Sequence, residues 1–185
     1  MTTVNDSVLM TDVRDGRAAA LGTLFERHHA RLYRFCLRMT GNRSVSEDLV
    51  QEIFMRILRH RATFRPGTAF VPWMYRIARN ACIDHLRRGA AGGEALEEEE
   101  TLVAGGPSVE ETVERGRAAQ LMRRALLRLP VERRAVLLMS RYEFKTYEEI
   151  ARTLDCSVSA VKIRAYRAIK QLREVYCDLA REAAP

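Results

Sequence analysis

The chain has 185 residues, 47% of them hydrophobic and 30% charged, with a net charge of +7. That length suits one or two small domains, and no apolar run approaches the ~20 residues that a membrane span needs. Residues 1–17 carry Asp6, Asp12 and Asp15 and lack the basic start and apolar stretch of a secretion signal, so they read as an N-terminal tail, with the cytoplasm as the expected location.

The charge is unevenly spread. Residues 92–114 hold eight acids and no lysine or arginine, which leaves 31 basic against 16 acidic side chains elsewhere, a balance of +15. A surface of that sign favours a polyanionic partner, because neutralised phosphates release their condensed counterions. An anionic membrane surface is the rival, but it requires a strongly apolar, basic amphipathic helix that this sequence does not show.

Hydrophobic spacing is helical throughout, with no useful strand alternation, so the chain reads as all-α. A first helix spans about Ala18–Met39, with Leu21, Leu24, Phe25, His28, Leu32, Phe35 and Cys36 inward, and stops at Thr40-Gly41-Asn42. A second starts after Ser44 or Ser46 and runs to about Arg59. The stretch "RHRATFRPGTAFVP" breaks the pattern, and a long helix follows from Trp73 to about Arg88. Its wheel puts Trp73, Arg76, Asn80, Asp84 and Arg87 on one side and Tyr75, Ala78, Cys82 and Leu86 on the other.

A Gly- and Glu-rich segment, placed at residues 91–112, reads as a flexible acidic linker. It divides the chain into two small helical domains, 18–90 and 113–185. The second domain begins with a helix over about Thr112–Leu129, and Pro130 opens the next, Val131 to about Arg141. Thr146-Tyr147-Glu148-Glu149 has the capping-box pattern at the head of a helix ending at Leu154. Ser157 is the expected N-cap of a last helix reaching about Asp178.

Short helix, tight turn at Asp155-Cys156 and longer helix make a helix-turn-helix. Val158, Val161, Ala165, Ala168, Ile169 and Leu172 gather on the core side of the last helix. Ser159, Ile163, Tyr166, Arg167 and Lys170 lie opposite, flanked by Lys162 and Arg164. Hydroxyl, cationic and large apolar groups together suit a major groove, where Arg and Lys meet phosphates and guanine edges and an apolar side chain meets a thymine methyl. In the first domain the basic, aromatic loop around Phe64, Arg65, Phe70 and Val71 and the helix from Trp73 could hold unpaired bases, although Phe70 and Trp73 suit a core equally well.

Enzymatic chemistry finds little support. Asp48 and Glu52 share a helix face at i, i+4, but no histidine, nucleophile or Gly-rich loop accompanies them, and a polar stripe for a partner fits better. The four cysteines have no C-x-x-C spacing and read as reduced thiols in or near the core, and His28-His29 as solvated helix histidines. No metal site, cofactor or catalytic residue is expected.

In this order the segments resemble an extracytoplasmic function (ECF, group IV) sigma factor of the sigma-70 family. "ALGTLFERHHARLYRFCLRMTGN" is similar to the family's region 2.1, "SEDLVQEIFMRILRH" to region 2.2 and "FVPWMYRIARNACIDHLRR" to regions 2.3 and 2.4. "LLRLPVERRAVLLMSRYEFKTYEEIARTLDCSVSAVKIRAYRAIKQLRE" resembles region 4, and no region 3 intervenes. The resemblance implies a promoter-specificity subunit with core RNA polymerase, through its β′ and β subunits, and promoter DNA as partners. An anti-sigma factor is a further implied partner.

The resemblance also implies roles by position. Asp48, Leu49, Gln51, Glu52, Phe54 and Arg56 would meet the β′ clamp. Arg65, Phe70, Trp73, Arg76, Arg79, Asn80, Arg87 and Arg88 would open the −10 element and hold a flipped base. Ser159, Ala160, Lys162, Ile163, Arg164, Tyr166, Arg167 and Lys170 would read the −35 element as duplex, and the linker would thread toward the RNA exit path. The family often carries Gly where Asp155 and Ser159 stand, Thr at Ala160 and Ser at Ile163, so the −35 preference of this chain is expected to be its own. A stand-alone helix-turn-helix regulator is the alternative; it leaves the first domain without a task and needs a dimer surface for paired half-sites.

Overall fold

The computed structural model describes residues 4–92, 109–143 and 146–183, so most of the expected linker lies outside the described residues. Eight α-helices and no strand occur among those residues: α1 Asp6–Arg14, α2 Ala19–Thr40, α3 Arg43–Arg59, α4 Phe70–Gly92, α5 Val109–Arg128, α6 Val131–Leu138, α7 Tyr147–Leu154 and α8 Val158–Glu182. A single 3-10 turn, Arg61–Thr63, follows α3, and a π-helical turn, Met139–Glu143, follows α6.

The N-terminal unit is built on the apolar stripes of α2, α3 and α4. Leu24, Leu32, Phe35, Cys36 and Met39 of α2 meet Leu49, Ile53 and Ile57 of α3 and Met74, Tyr75, Ala78 and Cys82 of α4 in one core. Phe35 and Tyr75 meet edge to face with centroids 5.4 Å apart. Two residues join α2 to α3. Gly41 adopts a left-handed φ of 78°, and its N–H donates to Leu37 O as the α2 C-cap. Asn42 then caps α3 by accepting from the Val45 amide at 3.0 Å. The cap is thus Asn42, where the serines at 44 and 46 were expected to start the helix. A serine can cap, but so can an asparagine, and here the asparagine lies directly against the glycine stop.

The expected N-terminal tail is a helix. Asn5 caps α1, and Leu9, Met10 and Val13 are buried against the core. Asp6 of α1 reaches across to α2, with Oδ1 accepting from Arg27 at 2.7 Å and Oδ2 2.7 Å from His28 Nε2. Ser7 Oγ accepts from the Phe70 amide at 3.2 Å, so α1 also holds the start of α4. His28 is therefore a buried histidine with a carboxylate partner, not a solvated one. The local cause is the 9, 10, 13 spacing of three apolar residues, a stripe too short to stand alone and stable only once docked.

The C-terminal unit wraps α5, α6 and α7 around α8. Val161, Ala165 and Ala168 of α8 are fully or almost fully buried, and Val158, Ile169 and Leu172 pack partly buried beside them. Thr146 forms the complete capping box with Glu149 at the head of α7. Thr146→Ala is expected to lower stability by about 1 kcal/mol, read as a shift of the urea midpoint at constant slope. Asp155 ends α7 with φ 50° and ψ 54°, the left-handed corner that lets α8 depart from α7. Asp tolerates it better than most residues other than Gly and Asn.

The two units dock on each other. Ala135, Leu138, Met139, Ile150, Ala151 and Val161 belong to the same apolar cluster as Phe35, Met39, Ala78 and Cys82. Arg134 is buried, donating to Met39 O of α2 and to Leu127 O and Leu129 O of its own unit. Burial pushes its guanidinium down to about 10, since a low-dielectric site disfavours the charge. Arg123 donates to Gly41 O, and Leu127 fills the space over Gly41, where a Cβ would stand 2.7 Å from Leu127 Cδ1.

Candidate nucleic-acid interface

The face of α8 away from its core is open. Ser159, Lys162, Arg164, Arg167 and Lys170 are exposed, with Ala160 half-buried beside them. Ile163 and Tyr166 are 52% and 70% exposed, an unusual state for two large side chains one turn apart. The helix is positioned by Ser157, whose Oγ accepts from the Ala160 amide at 3.1 Å, and by the left-handed Asp155 corner. Together they present one side of a segment of about three turns carrying cations, a hydroxyl and apolar groups. That set can contact phosphates and base edges at once.

The second basic surface lies on α4 and the loop before it. Arg76, Asn80, Arg87 and Arg88 are exposed, as is Arg65 in the loop. Phe70 is different from its expected placement. Its ring is buried, packed against His28 at 5.4 Å and near Phe64 and Trp73, so it supports the loop from beneath instead of facing a base. Trp73 is half-buried, with Phe64 edge-on at 5.3 Å. Arg79 is the other exception: its guanidinium pairs with Glu132 of the C-terminal unit. A cleft of about 510 Å³ opens between α1 and the loop, lined by Asn5, Ser7, Thr11, Asp12, Gly67 and Thr68 among others.

The polar stripe on α3 splits by depth. Asp48 and Gln51 are exposed, whereas Leu49 and Phe54 are buried in the core and set the helix in place without offering a contact surface. Glu52 accepts from Arg56 at 2.8 Å, and this bond holds its carboxyl below the usual range. Arg56 in turn donates to Asp84 at 2.8 Å and so ties α3 to α4. Glu52 is thus engaged along its own helix, apart from Asp48, and no group of three metal-ligating side chains is assembled among the described residues. Cys36 and Cys82 face each other in the core with sulfurs 3.8 Å apart, and that contact, together with burial, pushes the Cys36 thiol well up, away from reactivity. Among the described residues no helix is long and apolar enough to cross a membrane.

Several structurally important residues are outside the expected set: Asp6, Arg134 and Glu132. Arg134 and Glu132 follow Pro130 in "PVERRAV", which reads locally as an ordinary charged helix start. Nothing local marks one of two adjacent arginines as buried, because its acceptors lie on Met39, Leu127 and Leu129.

Comparison with known proteins completes the picture. The family models for Sigma-70 region 2 and Sigma-70 region 4 match residues 24–91 and 119–172. The RNA polymerase sigma factor CarQ of Myxococcus xanthus is 33% identical over 175 residues, covering 95% of this chain and 99% of that one. The ECF RNA polymerase sigma factor SigW of Bacillus subtilis is 30% identical, over 90% of this chain and 94% of its own. Among solved structures, CnrH in complex with the cytosolic domain of CnrY superposes with a TM-score of 0.66 at 23% identity, covering 97% and 99% of the two chains. RpoE of Bartonella quintana in complex with the anti-sigma factor NepR gives 0.67 at 23%, covering 83% and 94%. Two helical units, an open helix-turn-helix face and matches running through both halves in order place this chain among the ECF sigma factors of the sigma-70 family, the promoter-specificity subunits of bacterial RNA polymerase.

Proposed function

We propose that the two basic surfaces divide the promoter between them: the open face of α8 reads the −35 element as duplex, and α4 with its preceding loop holds the melted −10 strand. The single observation that carries this assignment is the exposure of Ile163 and Tyr166 within a ring of Lys and Arg on the second helix of a helix-turn-helix. On α4, Arg76, Asn80, Arg87 and Arg88 follow the phosphate backbone while Trp73 supports an unstacked base. Asp48 and Gln51, the exposed members of the α3 stripe, meet the clamp of core RNA polymerase, with Glu52 and Arg56 bracing them. The protein acts in the cytoplasm, and its activity is held by an anti-sigma factor, a reading supported by the solved RpoE, which is bound to the anti-sigma factor NepR.

The experiment is reconstitution with core RNA polymerase and promoter-dependent run-off transcription on genomic fragments. Transcripts sharing −35 and −10 sequences are expected, and failure to bind core or to start transcripts removes the assignment. Trp73→Ala is expected to slow open-complex formation by about tenfold, with closed-complex binding little changed, given the ~1–3 kcal/mol that base stacking contributes. Permanganate footprinting of the melted strand checks this. Normal opening by a well-folded variant would exclude Trp73 from that role.

A further inference from the structure

We propose that Cys36 and Cys82 form a binding site for a soft monovalent metal ion of the copper(I) class, held between α2 and α4 with Arg134 as its counter-charge. The two thiols stand 46 residues apart in sequence, and the packing of α2 on α4 brings their sulfurs to 3.8 Å. Both residues are fully buried in the core. Metal–thiolate bonds run about 2.3 Å in zinc sites, so two of them span up to about 4.6 Å between sulfurs. An ion therefore fits between the pair if the sulfurs part by less than about 1 Å from their 3.8 Å separation.

Ligand number and charge select the ion. Among the described residues no third His, Cys, Asp or Glu joins the two thiols, which leaves the four-coordinate demand of structural zinc unmet. Thiolates are soft donors that suit Cu(I), and a monovalent ion of this kind accepts two of them in line. Two thiols and one Cu(I) give a bis-thiolate complex of net charge −1 and two protons, with no change of oxidation state; a coordinated thiol gives up its proton outright. A lone negative charge in a core is costly, and Arg134 answers it. That residue is 3% exposed, and its guanidinium lies close enough to Cys82 for charge on the sulfur to act on it. Its terminal nitrogens donate to Met39 O, Leu127 O and Leu129 O, while Nε is buried without a hydrogen-bond partner. A buried cation held by carbonyls, with one donor spare, lacks an anion. The bis-thiolate supplies that anion, whereas a divalent ion would form a neutral complex and leave the cation uncompensated.

The test uses the full-length protein carrying Cys156→Ser and Cys177→Ser, which removes the two thiols outside the core pair. Cu(I) is supplied without oxygen as its acetonitrile complex, with the chelator bathocuproine disulfonate as competitor. It is added to the folded protein and also during refolding from urea, so that slow entry into a closed core does not hide the site. About one ion per chain is expected, with a thiolate-to-Cu(I) charge-transfer band in the ultraviolet and two sulfur neighbours by X-ray absorption. The urea midpoint is expected to rise with the metal, because the folded form already holds the two thiols together. Cys36→Ala and Cys82→Ala, added singly and shown to be folded by circular dichroism, are each expected to weaken binding by more than about 100-fold, beyond the 10- to 100-fold typical of losing an outer-shell partner. Tight binding retained by either folded alanine variant overturns the site. No uptake by the parent in either format, or nitrogen or oxygen neighbours in place of sulfur, overturns it as well. Zn(II) is expected to bring neither stoichiometric binding nor stabilisation, and uptake of Zn(II) equal to that of Cu(I) overturns the assignment to a monovalent ion.

Discussion

Arg134→Ala is expected to lower the stability of the protein by roughly 3 kcal/mol. The side chain is buried and supplies donors to Met39 O, Leu127 O and Leu129 O. Its removal leaves those carbonyls without a partner at two helix ends and opens a void between the units. Each buried acceptor left unmade costs about 1–3 kcal/mol, and the relief of a desolvated charge offsets part of the total. Arg134→Lys is expected to recover little, because one ammonium group cannot span acceptors that a planar fork reaches together. Urea unfolding checks both variants, and a shift below about 1 kcal/mol in the alanine variant would show that the guanidinium does not brace the fold.

The pH dependence of this residue has a definite sign. A cation whose folded pKa is depressed, here to about 10, is charged in both states at neutral pH and adds no slope there. Its burial penalty is fully present below pH 10 and is relieved only as pH rises from 10 toward the unfolded value. Arg134 therefore opposes folding by a constant amount across the physiological range, and the hydrogen bonds it makes are what outweigh that amount.

The Lys162→Ala, Arg167→Ala double variant is expected to reduce promoter-dependent transcription by on the order of 10- to 100-fold, with binding to core RNA polymerase unchanged. Both side chains are exposed on α8 with no role in its core, so the variant folds. If both contact phosphates, the slope of log affinity against log salt falls by about 2; if Arg167 contacts a guanine edge, it falls by about 1 and base preference relaxes at one position. Anisotropy titrations on −35 duplexes at several salt concentrations separate these outcomes, and wild-type affinity would exclude this face from recognition. Ile163→Ser is expected to move the preferred −35 sequence without a comparable loss of affinity, because an apolar contact to a thymine methyl is exchanged for a hydroxyl that bonds to several bases.

Much of the fold is local chemistry and was legible in residue order. The 3.6-residue apolar spacing located α2 to α8 to within a few residues, and missed α1. The caps at Thr146 and Ser157 were readable because capping is a contact between neighbours in sequence. The same holds for the open face of α8, where periodicity alone separated Val161, Ala165 and Ala168 from Ile163 and Tyr166. Phe70 was not readable in this way. An aromatic residue in a basic loop suits a base or a core, and burial by His28 and Phe64 decided for the core.

Sequence by itself therefore determined the all-α class, the division into two units, the helix-turn-helix and the sigma-factor resemblance, since each depends on contacts within a few turns of one segment. Tertiary structure alone decided that residues 6–14 are a helix, that His28 is paired with Asp6, that Arg134 is buried and that Glu132 covers Arg79. The physical reason is common to all four. Each depends on a partner more than 20 residues away, the Met39 carbonyl in the case of Arg134, and a charged or apolar side chain carries no local mark of which distant group will meet it.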